Sequence, residues 1–313
     1  MQGIEIVATA RALPGRCVTN VELSQTVDTS DQWIRTRTGI GQRYRCEEET
    51  TAGMAIEAAK KAVEKSGIDK SEIGIVLVAT TTPEYAFPST ACLVQQALGL
   101  EEDIMSFDIN AACAGFLYGL GIVRSMLQNS RKTYALVIGS EHLSKIINYE
   151  DRGSCILFGD GAGAAIAKSS TKTFYHKGFT RGNKEFLYCN GLGSKENDFY
   201  IHMEGNQVFR FAVSAIEDGV EGILAEAGLT MNDIDYVVCH QANDRIISHV
   251  EKKYKDYSAV FYKNIEFYGN TSAASIPICL DEMGEKGLLK EGMRILMVGF
   301  GAGFTWSSCL LTW

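Results

Sequence analysis

Two stretches of this sequence follow one plan. IMSFDINAACAGFLYGLGIVRSMLQN…YALVIGSE (104–141) and NIEFYGNTSAASIPICLDEMGEKG…RILMVGFG (264–301) each read as a short strand, a polar elbow, a helix opening on small residues, a loop, and an apolar strand ending at glycine. A chain repeated in this way is expected to fold as two similar halves. The elbow of the first copy carries Cys113 and that of the second carries Asn270, so a pseudo-twofold pairing of the halves brings the two elbows together. The boundary falls near Ser169–Lys172, after AGAAIAKSS, giving halves 1–170 and 171–313.

Within each half, β-branched runs alternate with amphipathic stretches, the pattern of an α/β protein. Strands are expected at Ile4–Ala8, Ile75–Ala79, Ile104–Asp108, Tyr134–Ile138, Ala162–Ala167, Tyr236–Cys239, Ile295–Val298 and Thr305–Leu311. Helical spacing of Met54, Ala58, Ala59, Ala62 and Val63 predicts a helix over Ala52–Ser66, and Ala215, Ile216 and Ile223 predict another over Phe211–Ala227. The 31 glycines cluster at strand ends, where turns and close backbone approaches are made. Over 313 residues, 46% hydrophobic and 22% charged content is that of a globular chain with a substantial core, which excludes disorder, collagen and coiled coil.

Charge and cysteine usage narrow the function classes. A net charge of −8 does not invite nucleic acid. The start, MQGIEIVATARALPG, lacks a basic n-region and an uninterrupted apolar run, and no stretch of the sequence is apolar enough to span a membrane; a cytoplasmic protein without membrane insertion is expected. Nine scattered cysteines with no CxxC pair suggest neither a disulfide framework nor a zinc site. Most lie in apolar runs such as VVCHQ and IPICL, where a thiol is a small buried hydrophobe.

Cys113 is different in context. In DINAACAGFLYGL it stands among Ala111, Ala112, Ala114 and Gly115 where a helix begins, and the positive end of a helix dipole favours thiolate. In DYVVCHQANDRII, His240 lies just past a buried strand and is followed by Gln241 and Asn243, the end of a strand at which α/β proteins build sites. In FYGNTSAAS, Asn270 follows Gly269 at the second elbow. Each has an ordinary alternative: a buried cysteine, a satisfied histidine, a turn asparagine. Together they make a nucleophile with two hydrogen-bonding partners. GFGAGFTW (299–306) adds a turn whose exposed N–H groups suit a developing oxyanion. FGDGAGAA (158–165) is followed by a short apolar strand rather than a helix and is no dinucleotide fingerprint.

AACAGFLYGL, HQAN, YGNTSAASIP, FGDGAGA and GFGAGFTW, with TSDQWIRTRTGI and AFPSTA nearer the start, resemble in order and spacing the β-ketoacyl-[acyl-carrier-protein] synthase III enzymes of type II fatty acid synthesis. The resemblance implies the thiolase fold, two similar halves in five layers (α-β-α-β-α), and a homodimer. It implies that Cys113 takes an acyl group, usually acetyl, from acyl-coenzyme A, and that His240 and Asn270 hold the thioester of malonyl acyl carrier protein while it decarboxylates. The family's oxyanion hole would use the N–H of Cys113 and of Ala302, the middle residue of a turn that is GGG in the family and Gly301-Ala302-Gly303 here. Trp33, Arg37, Thr38, Arg152 and Asn243 match residues along the coenzyme A and pantetheine arm. Arg245, with His249 and Lys252 on the same helix face, matches the site where the acidic carrier protein docks. Phe87 matches a ring that closes the partner subunit's acyl pocket, in keeping with a short primer. No metal or redox cofactor is implied. Arg43 and Arg45 read as solvated surface, and 181–202 follows no recognised motif.

Two competing readings are weaker. The order Cys, His, Asn is also that of papain-like proteases, whose cysteine signature is absent. A primer synthase of polyketide or secondary metabolism would keep all these motifs, and a non-catalytic binder of acyl-coenzyme A or carrier protein would have no need of all three reactive residues.

Overall fold

The computed structural model describes residues 3–257 and 259–313. Its strands are β1 (Gly3–Ala12), β2 (Arg16–Thr19), β3 (Gln42–Arg45), β4 (Ile73–Ala79), β5 (Met105–Ile109), β6 (Tyr134–Glu141), β7 (Gly161–Ser170), β8 (Phe174–Asn183), β9 (Leu187–Cys189), β10 (Ile201–Met203), β11 (Tyr236–Cys239), β12 (Val260–Phe261), β13 (Arg294–Gly301) and β14 (Gly303–Thr312). The eight expected strands are present, several longer than the sequence pattern indicated, and the two expected helices run over Thr51–Ser66 and Gly205–Ala227.

Each half builds a five-stranded sheet. The first has the order β1-β7-β6-β4-β5 and the second, read from its other edge, β8-β14-β13-β11-β12. Position for position the pairings agree: β1–β7 and β7–β6 are antiparallel and β6–β4–β5 parallel, as are β8–β14, β14–β13 and β13–β11–β12 in turn.

Of four buried clusters among the described residues, three lie between and outside the sheets, and the fourth gathers Leu23, Ile34, Ile156 and Ile265. Helices Thr51–Ser66 and Thr90–Leu98 cover one outer face with Ala55, Ala58, Ala59, Ala62 and Val94 against Val76, Val78 and Ile138. Helices Gly205–Ala227 and Asp244–Lys253 cover the other, setting Ile216, Val220 and Ile246 against Val237, Leu296 and Leu310. Helices Gly115–Leu127 and Ser275–Glu285 fill the middle, where Leu117, Leu120, Leu280 and Met283 share one cluster with Leu77, Val137, Met297 and Leu311 from both sheets. The result is the five-layer, thiolase-like arrangement. All-apolar strands such as β4, buried at every residue, follow from being covered on both faces.

The glycines that end the apolar strands of the repeat have one purpose. A Cβ on Gly139 of β6 would stand 2.2 Å from the Ala273 carbonyl, and one on Gly299 of β13 would stand 3.2 Å from Ala114 Cα. Each elbow therefore rests on the bare backbone of a strand from the opposite half, and this crossed packing carries the two elbows to one another. Among the described residues no helix is long and apolar enough to cross a membrane.

Candidate active site

The elbows are built alike. Asn110 Oδ1 accepts the Ala112 N–H at 3.1 Å, and Asn270 Oδ1 accepts the Ser272 N–H at 2.9 Å. Both turns force a non-glycine residue to positive φ, +45° at Ala112 and +48° at Ser272, a conformation held only because the surroundings over-determine it. A short 3-10 turn follows in each, Ala112–Ala114 and Ser272–Ala274, and then the central helix. The structural counterpart of Cys113 is thus Ala273, and that of Asn270 is Asn110. The first copy has specialised at its fourth residue and the second at its first. With its Oδ1 held by Ser272, the Asn270 amide keeps its NH2 as the group to offer the cavity.

Cys113, His240 and Asn270 line one cavity of about 1220 Å3, together with Ala302, Trp33, Arg37, Thr38, Asn243 and Arg245. His240 is buried, and its Nδ1 lies 2.7 Å from Ser275 Oγ. That hydroxyl also accepts the Gln241 N–H at 3.4 Å, and in the arrangement suited to catalysis its own proton points to Nδ1. The imidazole then carries its hydrogen on Nε2, the remaining nitrogen. Burial pulls His240 down to about 3, which keeps the ring neutral. Two neutral donors, the His240 Nε2–H and the Asn270 amide, are thereby available to a developing enolate.

The dipole argument for Cys113 does not decide its protonation. Burial, with a further contribution from the Glu141 carboxylate, pushes the thiol up to about 12, and a hydrogen bond with Ser272 only partly offsets this. Glu141 is itself fully buried: Oε2 accepts from Thr81 N and Oγ1 and from Thr82 Oγ1, and Oε1 accepts from Ser272 Oγ at 2.9 Å. Ser272 therefore links Glu141 to the thiol. Neither Glu141, Ser272 nor Ser275 is singled out by the sequence reading. The serines stand inside YGNTSAASIP, but only the helix start at Ser275 shows which hydroxyl meets His240.

The GAG turn closes the site from the second sheet. A Cβ on Gly301 would lie 2.6 Å from Cys113 N, so glycine is required there, while position 302 has room for its alanine beside the cavity. At the far end, the Arg152 guanidinium lies 4.8 Å from the Trp33 ring centroid and that of Arg37 at 5.8 Å. A planar base fits between Trp33 and Arg152 only if the two part. Asn243 caps its helix through Arg245 N and donates to the Arg37 carbonyl, tying this end of the cavity to the outer helix. Thr38 is buried and its hydroxyl donates to the Ile34 carbonyl.

Other assignments fall differently. Arg43, expected as solvated surface, is buried and bonded to Asn20 Oδ1 and the carbonyls of Ile156 and Val18, because β3 lies under the segment leading into β7. Arg45 lies over the Tyr149 ring at 4.2 Å. Phe87, whose plainest alternative was a core position, is 86% exposed and does not line the cavity of its own chain. Arg245, His249 and Lys252 are all exposed on the helix whose other face buries Ile246, Ile247 and Val250. The unrecognised segment 181–202 holds the β9–β10 hairpin, which with Leu187, Ile201 and Met203 forms part of the apolar wall of the cavity.

Comparison with known proteins identifies the family. Residues 107–179 match the family 3-Oxoacyl-[acyl-carrier-protein (ACP)] synthase III, and residues 224–313 match the C-terminal part of that family. The β-ketoacyl-[acyl-carrier-protein] synthase III of Clostridium novyi is 46% identical over the whole of both chains. The chain belongs to the β-ketoacyl-[acyl-carrier-protein] synthase III family. Its members are condensing acyltransferases. A solved member from Aquifex aeolicus is 40% identical with a TM-score of 0.92, covering 99% of this chain and 100% of that one. A priming β-ketosynthase from a polyketide biosynthetic pathway is 31% identical, also with a TM-score of 0.92, covering 99% of this chain and 96% of that one.

Proposed function

We propose that this chain condenses a short acyl-coenzyme A primer, acetyl in the first instance, with malonyl acyl carrier protein, giving a 3-oxoacyl carrier protein and starting fatty acid synthesis. The observation that carries this reading is the single cavity in which Cys113, from one elbow, meets His240 and Asn270 from the other half. Cys113 attacks the primer thioester; its proton leaves with coenzyme A as the free thiol, and an acyl-cysteine remains. Malonyl carrier protein then loses carbon dioxide, and the negative charge gathering on its thioester oxygen is met by His240 Nε2–H and the Asn270 amide. Neither group gives up its proton readily, so the enolate carbon attacks the acyl group instead of being quenched. The N–H groups of Cys113 and Ala302 receive the oxyanion of that addition, and the departing thiolate takes a proton from solvent. Decarboxylation drives the step, and no metal or redox group takes part in it.

Trp33, Arg37, Thr38, Arg152 and Asn243 serve the coenzyme A arm in this reading, and the exposed face of Arg245 and Lys252 receives the acidic carrier protein. The two halves, 1–170 and 171–313, act as one catalytic unit. A homodimer fits the exposed Tyr85, Phe87 and Met105, which flank β5 at an open edge of the first sheet. Phe87 would reach the partner subunit's cavity. Cytoplasmic placement follows from substrates that are cytoplasmic metabolites.

The test is acylation. Acetyl-coenzyme A alone should leave one acetyl group on Cys113, located by mass spectrometry of the digest, and Cys113→Ala should abolish both acetylation and condensation. Acetylation elsewhere, or full condensation by Cys113→Ala, would refute the reading. A polyketide primer synthase would instead prefer other acyl thioesters in a substrate panel.

A further inference from the structure

Behind the Asn270 elbow, three side chains distant in sequence converge. Cys46 Sγ, a ring nitrogen of His142 and a carboxylate oxygen of Asp160 all lie within 4.8 Å of one another. They come from the end of β3, the turn after β6 and the start of β7. Asp160 is fully buried, and its carboxylate accepts from Cys46 N at 2.8 Å, Ser144 N at 2.8 Å and Ser144 Oγ at 2.6 Å. These are neutral donors, and the Cys46 thiol also bonds to this carboxylate, at the point an ion would take over. Met54 Sδ stands 3.8 Å from Cys46 Sγ.

From this geometry we infer that Cys46, His142 and Asp160, with Met54 beside them, form a structural binding site for a divalent cation of the zinc class. One thiolate, one imidazole and one carboxylate are a donor set suited to that ion, and their two negative charges match it. Glu49 and Glu84 add negative potential around Cys46 and His142, against Lys145 on the same side. Coordination would displace the Cys46 thiol proton to solvent. The bound ion would tie together three segments that support catalysis. Asp160 follows Gly159, whose N–H donates to the Asn270 carbonyl at 3.0 Å, and His142 follows Glu141. The site has no part in the condensation chemistry itself.

The test is titration of the full chain with Co2+ in a Cys113→Ala background, which removes the cavity's own thiol. One equivalent should produce thiolate-to-cobalt charge-transfer absorption and the visible bands of a four-coordinate ion, both erased by Zn2+. Adding Cys46→Ser should abolish the charge-transfer absorption, and adding His142→Ala should weaken binding by about 100-fold or more. Zn2+ should raise the Tm of the Cys113→Ala protein and not that of the Cys46→Ser variant. Circular dichroism checks folding, and the half-buried His142 provides a readable variant even if Cys46→Ser misfolds. No charge-transfer absorption in the starting protein, or absorption that persists at unchanged affinity in either variant, would overturn the site.

Discussion

At the scale of the residue, the site runs against the simplest expectation for a nucleophile. A thiol raised to about 12 is almost wholly protonated at neutral pH, so a reaction at Cys113 would draw on a small thiolate fraction that grows as pH rises. Alkylation of Cys113 by iodoacetamide should therefore accelerate about tenfold per pH unit from 6 to 9 without a plateau; a plateau near pH 7 would show an acidic thiol. His240, lowered to about 3, is neutral on both sides of its ordinary range. Decarboxylation of malonyl carrier protein should then show no inflection near pH 6.5, where an unperturbed histidine titrates at about that value. Ser275 bonds His240 Nδ1 and does not line the cavity. Ser275→Ala should slow decarboxylation roughly tenfold, the worth of about one hydrogen bond, while leaving acetylation of Cys113 unchanged in single-turnover assays. The motifs displayed Cys113, His240 and Asn270 openly, but Glu141, Ser272 and Ser275 were illegible because their importance lies in contacts across up to 131 positions of sequence.

The elements explain why those contacts hold. A Cβ on Gly301 would stand 2.6 Å from Cys113 N, so Gly301→Ala would push a methyl group against the proposed oxyanion donor. Acylation, followed as the burst of coenzyme A release, should fall by about 10²–10³, the cost of losing one such donor, whereas Ala302→Gly should stay active. Arg43 makes the opposite case, a charged side chain that belongs to the core. Arg43→Met would leave Asn20 Oδ1 and two carbonyls without their donor and should lower stability by roughly 2–4 kcal/mol in urea unfolding. Strands covered on both faces were legible as apolar runs. β8 was not, because FYHKGFTRGN mixes aromatic and charged residues along a strand whose faces meet different surroundings: Phe174 is buried while Gly178 and Thr180 are exposed. The β9–β10 hairpin is too short for any periodicity to register.

For the whole molecule, the duplicated plan and the crossed elbows predict behaviour that neither half shows alone. The open edge of β5, with Met105 57% exposed and Phe87 beyond it, should be covered by a second copy. Sedimentation should report a dimer, and Met105→Lys, which sets like charges against one another across a twofold axis, should shift it toward monomer. A dimer unaffected by that change would place the interface elsewhere.

The sequence by itself determined the α/β class, the repeated plan, the principal strands and the three residues of the proposed site. Those are properties of local pattern: apolar period, small-residue elbows, and motif order. Tertiary structure alone decided the protonation of Cys113, the pairing of His240 with Ser275, the burial of Arg43 and the meeting of Cys46, His142 and Asp160. Each depends on how much water is excluded and on which distant groups remain beside the one in question, and no local run of residues carries that information.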